Sequence, residues 1–246
     1  MKNATLRIFV FIYLFLYHKE SSAQFTSTYS VGINAGAFIY NGDLSPWRSG
    51  SLKTPAFVFG LRGNKHLSPN VSARLELNFG KLRGDEAKYT EPEYRQYRAF
   101  AFTSRVAEII IAAEYSPLGR ARRLSPYVFG GIGYAGLKVQ RDYSRFAGEY
   151  FAATEPALLE NLQKDIDHDL PKSALIFPVG IGLKYSLSEK LSLHTEAAQR
   201  FTTSDYIDGF SEAGNPNRKD SYSKYSIGLR LAVGGKDRYG CPVVRY

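Results

Sequence analysis

VSARLELNF, from Val71 to Phe79, alternates without a break: Val71, Ala73, Leu75, Leu77 and Phe79 on one side, Ser72, Arg74, Glu76 and Asn78 on the other. A helix would bring Arg74 and Asn78 together but scatter Leu75 and Leu77 around its cylinder. Period two therefore makes this a strand with two unlike faces. The same pattern recurs seven times. It predicts strands over Tyr29–Tyr40, Phe57–Asn64, Phe100–Tyr115, Pro126–Gln140, Phe177–Tyr185, Leu191–Phe201 and Tyr225–Val233. On the fifth, Tyr127, Phe129, Ala135, Leu137 and Val139 are assigned to the apolar side. Eight strands of roughly ten residues match a small transmembrane barrel.

The connections alternate in length. Tight turns are expected at His66–Asn70, Ser116–Leu124 and Ser186–Lys190, and long loops at Asn41–Thr54, Gly84–Ala99, Arg141–Ser173 and Thr202–Ser221. Short periplasmic turns and long extracellular loops are the habit of outer-membrane barrels. The expected class is all-β, an eight-stranded antiparallel up-and-down transmembrane β-barrel with both termini periplasmic.

A soluble eight-stranded barrel would turn its apolar face inward. Here the apolar face is bulky and carries aromatic residues at two levels: Tyr115, Tyr127 and Tyr185 towards the periplasmic ends, and Phe57, Phe79, Phe177, Phe201 and Tyr225 towards the extracellular ends. Aromatic rings favour the headgroup region, so these are assigned to girdles against outer-membrane lipid. The opposite face is rich in Gly, Ser and Asn and carries Arg62, Arg74, Lys138, Lys184, Arg200 and Arg230 against Glu76, Glu108, Glu114 and Glu196. Buried charges persist only when paired. A salt-bridged lumen plug is expected, in preference to a charge-selective pore.

The ends of the chain set the compartment. Lys2 and Arg7 precede the apolar run Ile8–Tyr17, and Ser21, Ser22 and Ala23 follow, which is the order of a secretory signal peptide over residues 1–23. The barrel is then expected over 24–235 and a periplasmic tail over 236–246. Among 246 residues there are 22 Gly, 18 Tyr and 16 Phe but one Cys, one Met and one Trp, a composition suited to strands and turns. One Cys excludes an intrachain disulfide framework or a zinc ribbon. The net charge of +9 is dispersed and of mixed sign, with no basic stripe or motif for nucleic acid.

Other candidate sites are few. Cys241 lies in the tail KDRYGCPVVRY and can pair only with another chain, or remain an incidental thiol. TEPALLENLQKDI in the third loop predicts a helix with Thr154 as N-cap and Pro156 in the first turn, its Leu158, Leu159 and Leu162 resting on the barrel rim in preference to meeting a partner. In DIDHDL, Asp165–Leu170, three carboxylates and His168 lack the spacing of a calcium or zinc site and are assigned to a solvated acidic loop. His194 is placed in the lumen. Neither GxSxG, HExxH nor a phosphate-binding glycine loop occurs, so no catalytic, cofactor or metal residue is assigned.

Several segments carry a resemblance. YNGDL at Tyr40–Leu44, LSPYVFGGIGY at Leu124–Tyr134, FPVGIGLKYSLSEKLSL at Phe177–Leu193 and DYIDGFS at Asp205–Ser211 resemble, in order and spacing, the PorG-like family, OmpA-like outer-membrane barrels of Bacteroidota. The resemblance implies a non-enzymatic part in type IX protein secretion, in which the barrel docks a periplasmic ring built from a lipoprotein and a second subunit. Cys241 would then bridge to the ring lipoprotein. An OmpA-like structural or adhesive barrel is the competing expectation, and a small-solute channel the third.

Overall fold

The computed structural model describes residues 28–46, 50–119, 122–215 and 219–233. The leader over 1–23 and the tail with Cys241 lie outside the described residues. Eight antiparallel strands close a barrel in sequential order: β1 (Tyr29–Asn41), β2 (Ala56–His66), β3 (Val71–Asp85), β4 (Ala101–Tyr115), β5 (Leu124–Asp142), β6 (Ser173–Ser186), β7 (Leu191–Thr202) and β8 (Ser221–Val233). Closure runs from Tyr29 opposite Val233 to Asn41 opposite Ser221. Both ends of the described chain therefore lie at one end of the barrel, with the three tight turns. The four long connections gather at the other.

The wall is inside-out relative to a soluble protein. Ile33, Leu61, Ile109, Ile111, Ile132, Ile181 and Ile227 point outward and are exposed, Ile111 by 65% and Ile181 by 63%. Arg62, Arg74, Glu76, Glu108, Glu196 and Arg200 point inward and are buried. So continuous an apolar belt around a charged interior suits hydrocarbon, not water. Among the described residues no helix is long and apolar enough to cross a membrane. The strands do the spanning.

Register fixes which face each residue takes, because directly opposed residues share a face. Glu108 is opposite Ala135 and Glu114 opposite Phe129, so the odd-numbered residues of β5 must face the lumen. This corrects the sequence reading of that strand. Tyr127, assigned to the lipid girdle, is an inward side chain only 2% exposed, and Phe129, Ala135, Leu137 and Val139 join it inside. Val128, Ile132 and Tyr134 meet the outside instead. Lys138, expected in the lumen, is on the outer wall. The physical cause is that β5 is apolar on both faces for much of its length, so its own pattern does not set its parity and its partner β4 does.

The remaining girdle positions, Phe57, Phe79, Tyr115, Phe177, Phe201 and Tyr225, are all exposed on the outer wall. Tyr185 is half-buried near the turn end, with the Arg123 guanidinium 5.2 Å from its ring centroid.

The long connections are folded. The second contains a 3-10 turn at Glu86–Lys88 and the short helix α1 (Tyr94–Arg98); the third contains α2 (Gly148–Thr154) and α3 (Pro156–Asp167). Thr154 is not the N-cap of α3. It is the last residue of α2, its hydroxyl donating to the Tyr150 carbonyl at 2.8 Å, while Glu155 takes the cap position with Pro156 at the first turn. Proline at the start of a helix forfeits no intrahelical bond, which lets α3 follow α2 so closely.

Candidate functional site

The lumen is filled in layers, legible along β3, whose inward residues run Arg74, Glu76, Asn78 and, past Gly80, Leu82 from the turn end to the long-loop end. Nearest the turns, Arg230 donates to Glu114 through Nη1 at 3.0 Å and Nη2 at 3.2 Å, and Asn64 Nδ2 donates to the same carboxylate at 3.3 Å. Above it lies the centre of the network. Arg62 grips Glu196 with both terminal nitrogens at 2.6 and 2.5 Å, Arg74 does so at 2.9 Å with each, and the Tyr127 hydroxyl donates to Glu196 Oε1 at 2.6 Å. Arg74 also bonds Glu76, whose second oxygen takes the Lys224 ammonium at 2.6 Å.

The next layer joins Lys224 to Asn78 at 2.6 Å, Asn78 to Glu108 at 2.7 Å, and Glu108 to Arg200 at 2.9 Å and to the Tyr222 hydroxyl at 2.5 Å. Five cations, Arg62, Arg74, Arg200, Lys224 and Arg230, thus meet four carboxylates, Glu76, Glu108, Glu114 and Glu196, drawn from five of the eight strands. Planar guanidinium forks suit this bidentate bridging. The Arg74 guanidinium also lies 4.0 Å from the Phe129 ring centroid, so one face of the charge is covered by an aromatic. Lys184 takes an inward register position opposite His194 and is half-buried. His194 is buried inside the barrel.

Sequence reasoning missed Lys224, Tyr222, Asn78 and Tyr127 as network members. The first two were within reach, since extending the inward alternation of Arg230, Gly228 and Ser226 by two more steps arrives at Lys224 and Tyr222.

Towards the long-loop end the filling changes character. Phe38, Val58, Leu82, Phe102 and Val106 continue inward as a hydrocarbon core, and the loops close over it. Phe210 stacks on Phe100 at 4.4 Å, Phe146 on Phe151 at 5.3 Å, and Leu158 and Leu162 of α3 complete the layer. The apolar side of α3 does rest on the rim, as its leucines suggested.

Three buried carboxylate centres pin this cap. Glu86 receives Arg95 at 2.8 Å and Arg98 at 2.8 and 2.5 Å, and those arginines reach on to the carbonyls of Asp43 and Ala213. Asp165 is fully buried, its oxygens accepting the backbone amides of Ser211, Glu212 and Ala213 at 2.8 to 3.3 Å. It is not part of a solvated acidic loop, as DIDHDL suggested; three amide donors replace the water it gives up. Arg141 ties down the end of the same helix through the carbonyls of Asp165, Ile166 and His168. Among the described residues no group of His, Cys, Asp and Glu could hold a metal ion.

At the third centre the Tyr40 hydroxyl lies 2.6 Å from Asp208 Oδ2 and 2.6 Å from Asp220 Oδ1. One hydroxyl has one proton to give, so the second short contact requires a protonated carboxyl. Burial, with Asp43 and Asp205 nearby, pushes both Asp208 and Asp220 well above the ordinary aspartate range. Gly42 and Gly209 make this packing possible. A Cβ on Gly42 would fall 1.9 Å from the Tyr40 hydroxyl, and Gly209 holds φ at +90°. YNGDL and DYIDGFS, far apart in sequence, therefore meet in the cap.

The chain is similar to the N-terminal β-barrel domain of Pseudomonas aeruginosa OprF (13% identity, 84% of this chain and 98% of that one, TM-score 0.41). It is also similar to Neisserial surface protein A (12%, 84% and 98%, 0.46) and to Ail, the attachment invasion locus protein of Yersinia pestis (10%, 82% and 96%, 0.43). No curated protein matches it as a relative. Over residues 6–231 it matches a family described as a domain of unknown function, DUF6089, and with that span the chain belongs to the DUF6089 family.

Proposed function

We propose that this chain is a non-enzymatic outer-membrane component of the type IX protein secretion system, a barrel that docks a periplasmic ring complex. The observation that carries the reading is the filled interior. A barrel crossed by the Arg62–Glu196–Arg74 network and closed by an aromatic cap is a rigid post, whose two ends and outer wall are what it offers to partners. The resemblance of YNGDL and DYIDGFS to the PorG-like family supplies the secretion role, and these segments build the cap. In this reading the long-loop end faces outward and the turn end faces the periplasm, where the residues after Val233 and Cys241 would meet the ring lipoprotein.

Deletion of the gene tests it, with loss of secreted cargo from an otherwise intact envelope as the expected result. Non-reducing co-purification from native membranes should yield a larger, reducible species containing a periplasmic lipoprotein, absent for Cys241→Ser. Normal cargo secretion in the deletion strain would contradict the role. The folded cap favours one second reading, an OmpA-like structural or adhesive barrel. Unchanged secretion together with lost surface attachment would select it.

A further inference from the structure

On the outer wall, close to the long-loop end, the apolar belt gives way to a row of like charges. Lys81 on β3 is directly opposite Arg105 on β4, and Arg105 directly opposite Lys138 on β5. All three side chains are exposed, as are Arg83 one outward step higher and Lys172 just before β6. Like charges directly opposed across strands are destabilising. Among the described residues no carboxylate forms an ion pair with any of the five.

The next outward row towards the belt is Phe79, Ala107 and Gly136. Phe59 stacks on Phe79 at 5.4 Å, and the small Ala107 and Gly136 leave the wall hollow beside them. The result is a groove of about 890 Å³ with a cationic rim and a floor of phenylalanine and backbone. The same span of β5 faces the cap core with Leu137 and Val139, so the strand is apolar inside and cationic outside here, the reverse of its neighbours nearer the membrane centre.

We propose that this groove binds a phosphorylated glycolipid of the surrounding leaflet, the Lys81–Arg105–Lys138 row holding its phosphates and the Phe59–Phe79 floor taking an acyl chain. The two halves of the site demand both chemistries at once. A soluble anion would leave the aromatic floor unused, and a neutral lipid would leave the cation row uncompensated. In the proposed orientation the leaflet is the outer one. The site itself does not rest on the secretion role, and a barrel that secretes nothing would still carry it.

The full-length protein in phosphatidylcholine nanodiscs provides the test, with bis-phosphorylated lipid A, its dephosphorylated counterpart, or inorganic phosphate added, and retained ligand counted by native mass spectrometry. The parent should retain the phosphorylated glycolipid in preference to the other two. The triple variant Lys81→Gln, Arg105→Gln, Lys138→Gln should lose about a hundredfold in affinity, given the usual worth of a cation at an anionic membrane surface. Lys65→Gln, at the turn end of the same wall, should lose nothing. Heat-modifiable gel migration reports folding. If the triple variant is unfolded, Arg105→Gln alone, with an expected loss of about fivefold, carries the test. Equal retention by parent and variant, or equal retention of phosphorylated and dephosphorylated lipid, would overturn the proposal. Saturation by inorganic phosphate as tight as by the lipid would overturn it too.

Discussion

The two halves of the lumen are filled by opposite chemistries. Around Glu196 the inward contacts are mostly charges and hydroxyls, with the Phe129 ring lying over Arg74, and the side chains come from strands that are rigidly paired. Around Phe210 the inward contacts are hydrocarbon, and the side chains come largely from loops. Over β3 to β5 the wall outside inverts to match, from isoleucine and leucine beside the ionic layers to lysine and arginine beside the aromatic cap. Closing a narrow barrel thus does not demand one kind of core. What it demands is that each layer be satisfied by what the local backbone can supply: fixed, opposed positions for charge pairing, and longer, adaptable segments for hydrophobic closure.

The ionic centre is where a single substitution should do the most damage. Glu196→Gln removes the charge shared by Arg62 and Arg74 and leaves two buried guanidiniums short of a partner. A loss of about 3–5 kcal/mol is expected, as when one member of a buried pair is deleted. Urea unfolding in lipid vesicles, followed by gel migration, measures it. The effect should reach the whole barrel, because the network ties β2 and β3 to β7.

The same kind of deletion in the cap should stay in the cap. Asp165→Ala strands three amides of the fourth loop, at about 1–3 kcal/mol per unsatisfied group. The long loops should become sensitive to external protease while the barrel keeps its heat-modifiable migration. Global unfolding of this variant would show that the two fillings are one cooperative unit.

A third effect separates them by pH. Asp208 and Asp220 are raised on folding, so their protonated forms stabilise the cap fully below the ordinary aspartate value of about 4, and that stability is lost as pH rises through their raised values. Loop protection from protease should therefore be greater at about pH 5 than at about pH 9. Asp208→Asn, which keeps a donor in place of the retained proton, should flatten the dependence. The smallest effect is expected from Gly209→Ala, which puts a side chain at φ +90° for roughly 1–2 kcal/mol, and it too should be confined to the loops.

Much of this was legible in the chain, for definite reasons. Strand β3 alternates strictly and β7 keeps its charges on one face, so Arg74, Glu76, Glu196 and Arg200 could be assigned to the lumen from period two alone. β5 could not be read this way. Its run from Pro126 to Tyr134 is apolar or glycine on both faces, and its first charged and amide side chains, Lys138 and Gln140, sit on the outer wall. Its parity is set by pairing to β4, which is tertiary information. Tyr127 was misplaced for that reason. The cap was hidden for another: Asp165 sits in a segment that reads as acidic and solvated, and only the fourth loop, 46 to 48 residues away, supplies the amides that bury it. YNGDL and DYIDGFS were visible as motifs, but their meeting at Tyr40, Asp208 and Asp220 was not.

The claim that ties these features together is that the barrel is stoppered twice, by charge and by hydrocarbon, each sufficient alone. Planar-bilayer conductance of the purified protein tests it most directly, with the parent run beside Asp165→Ala. Neither should conduct, because opening the cap leaves the Arg62–Glu196–Arg74 layer across the lumen. Steady ohmic openings in the parent, or openings that appear on loss of the cap alone, would contradict it.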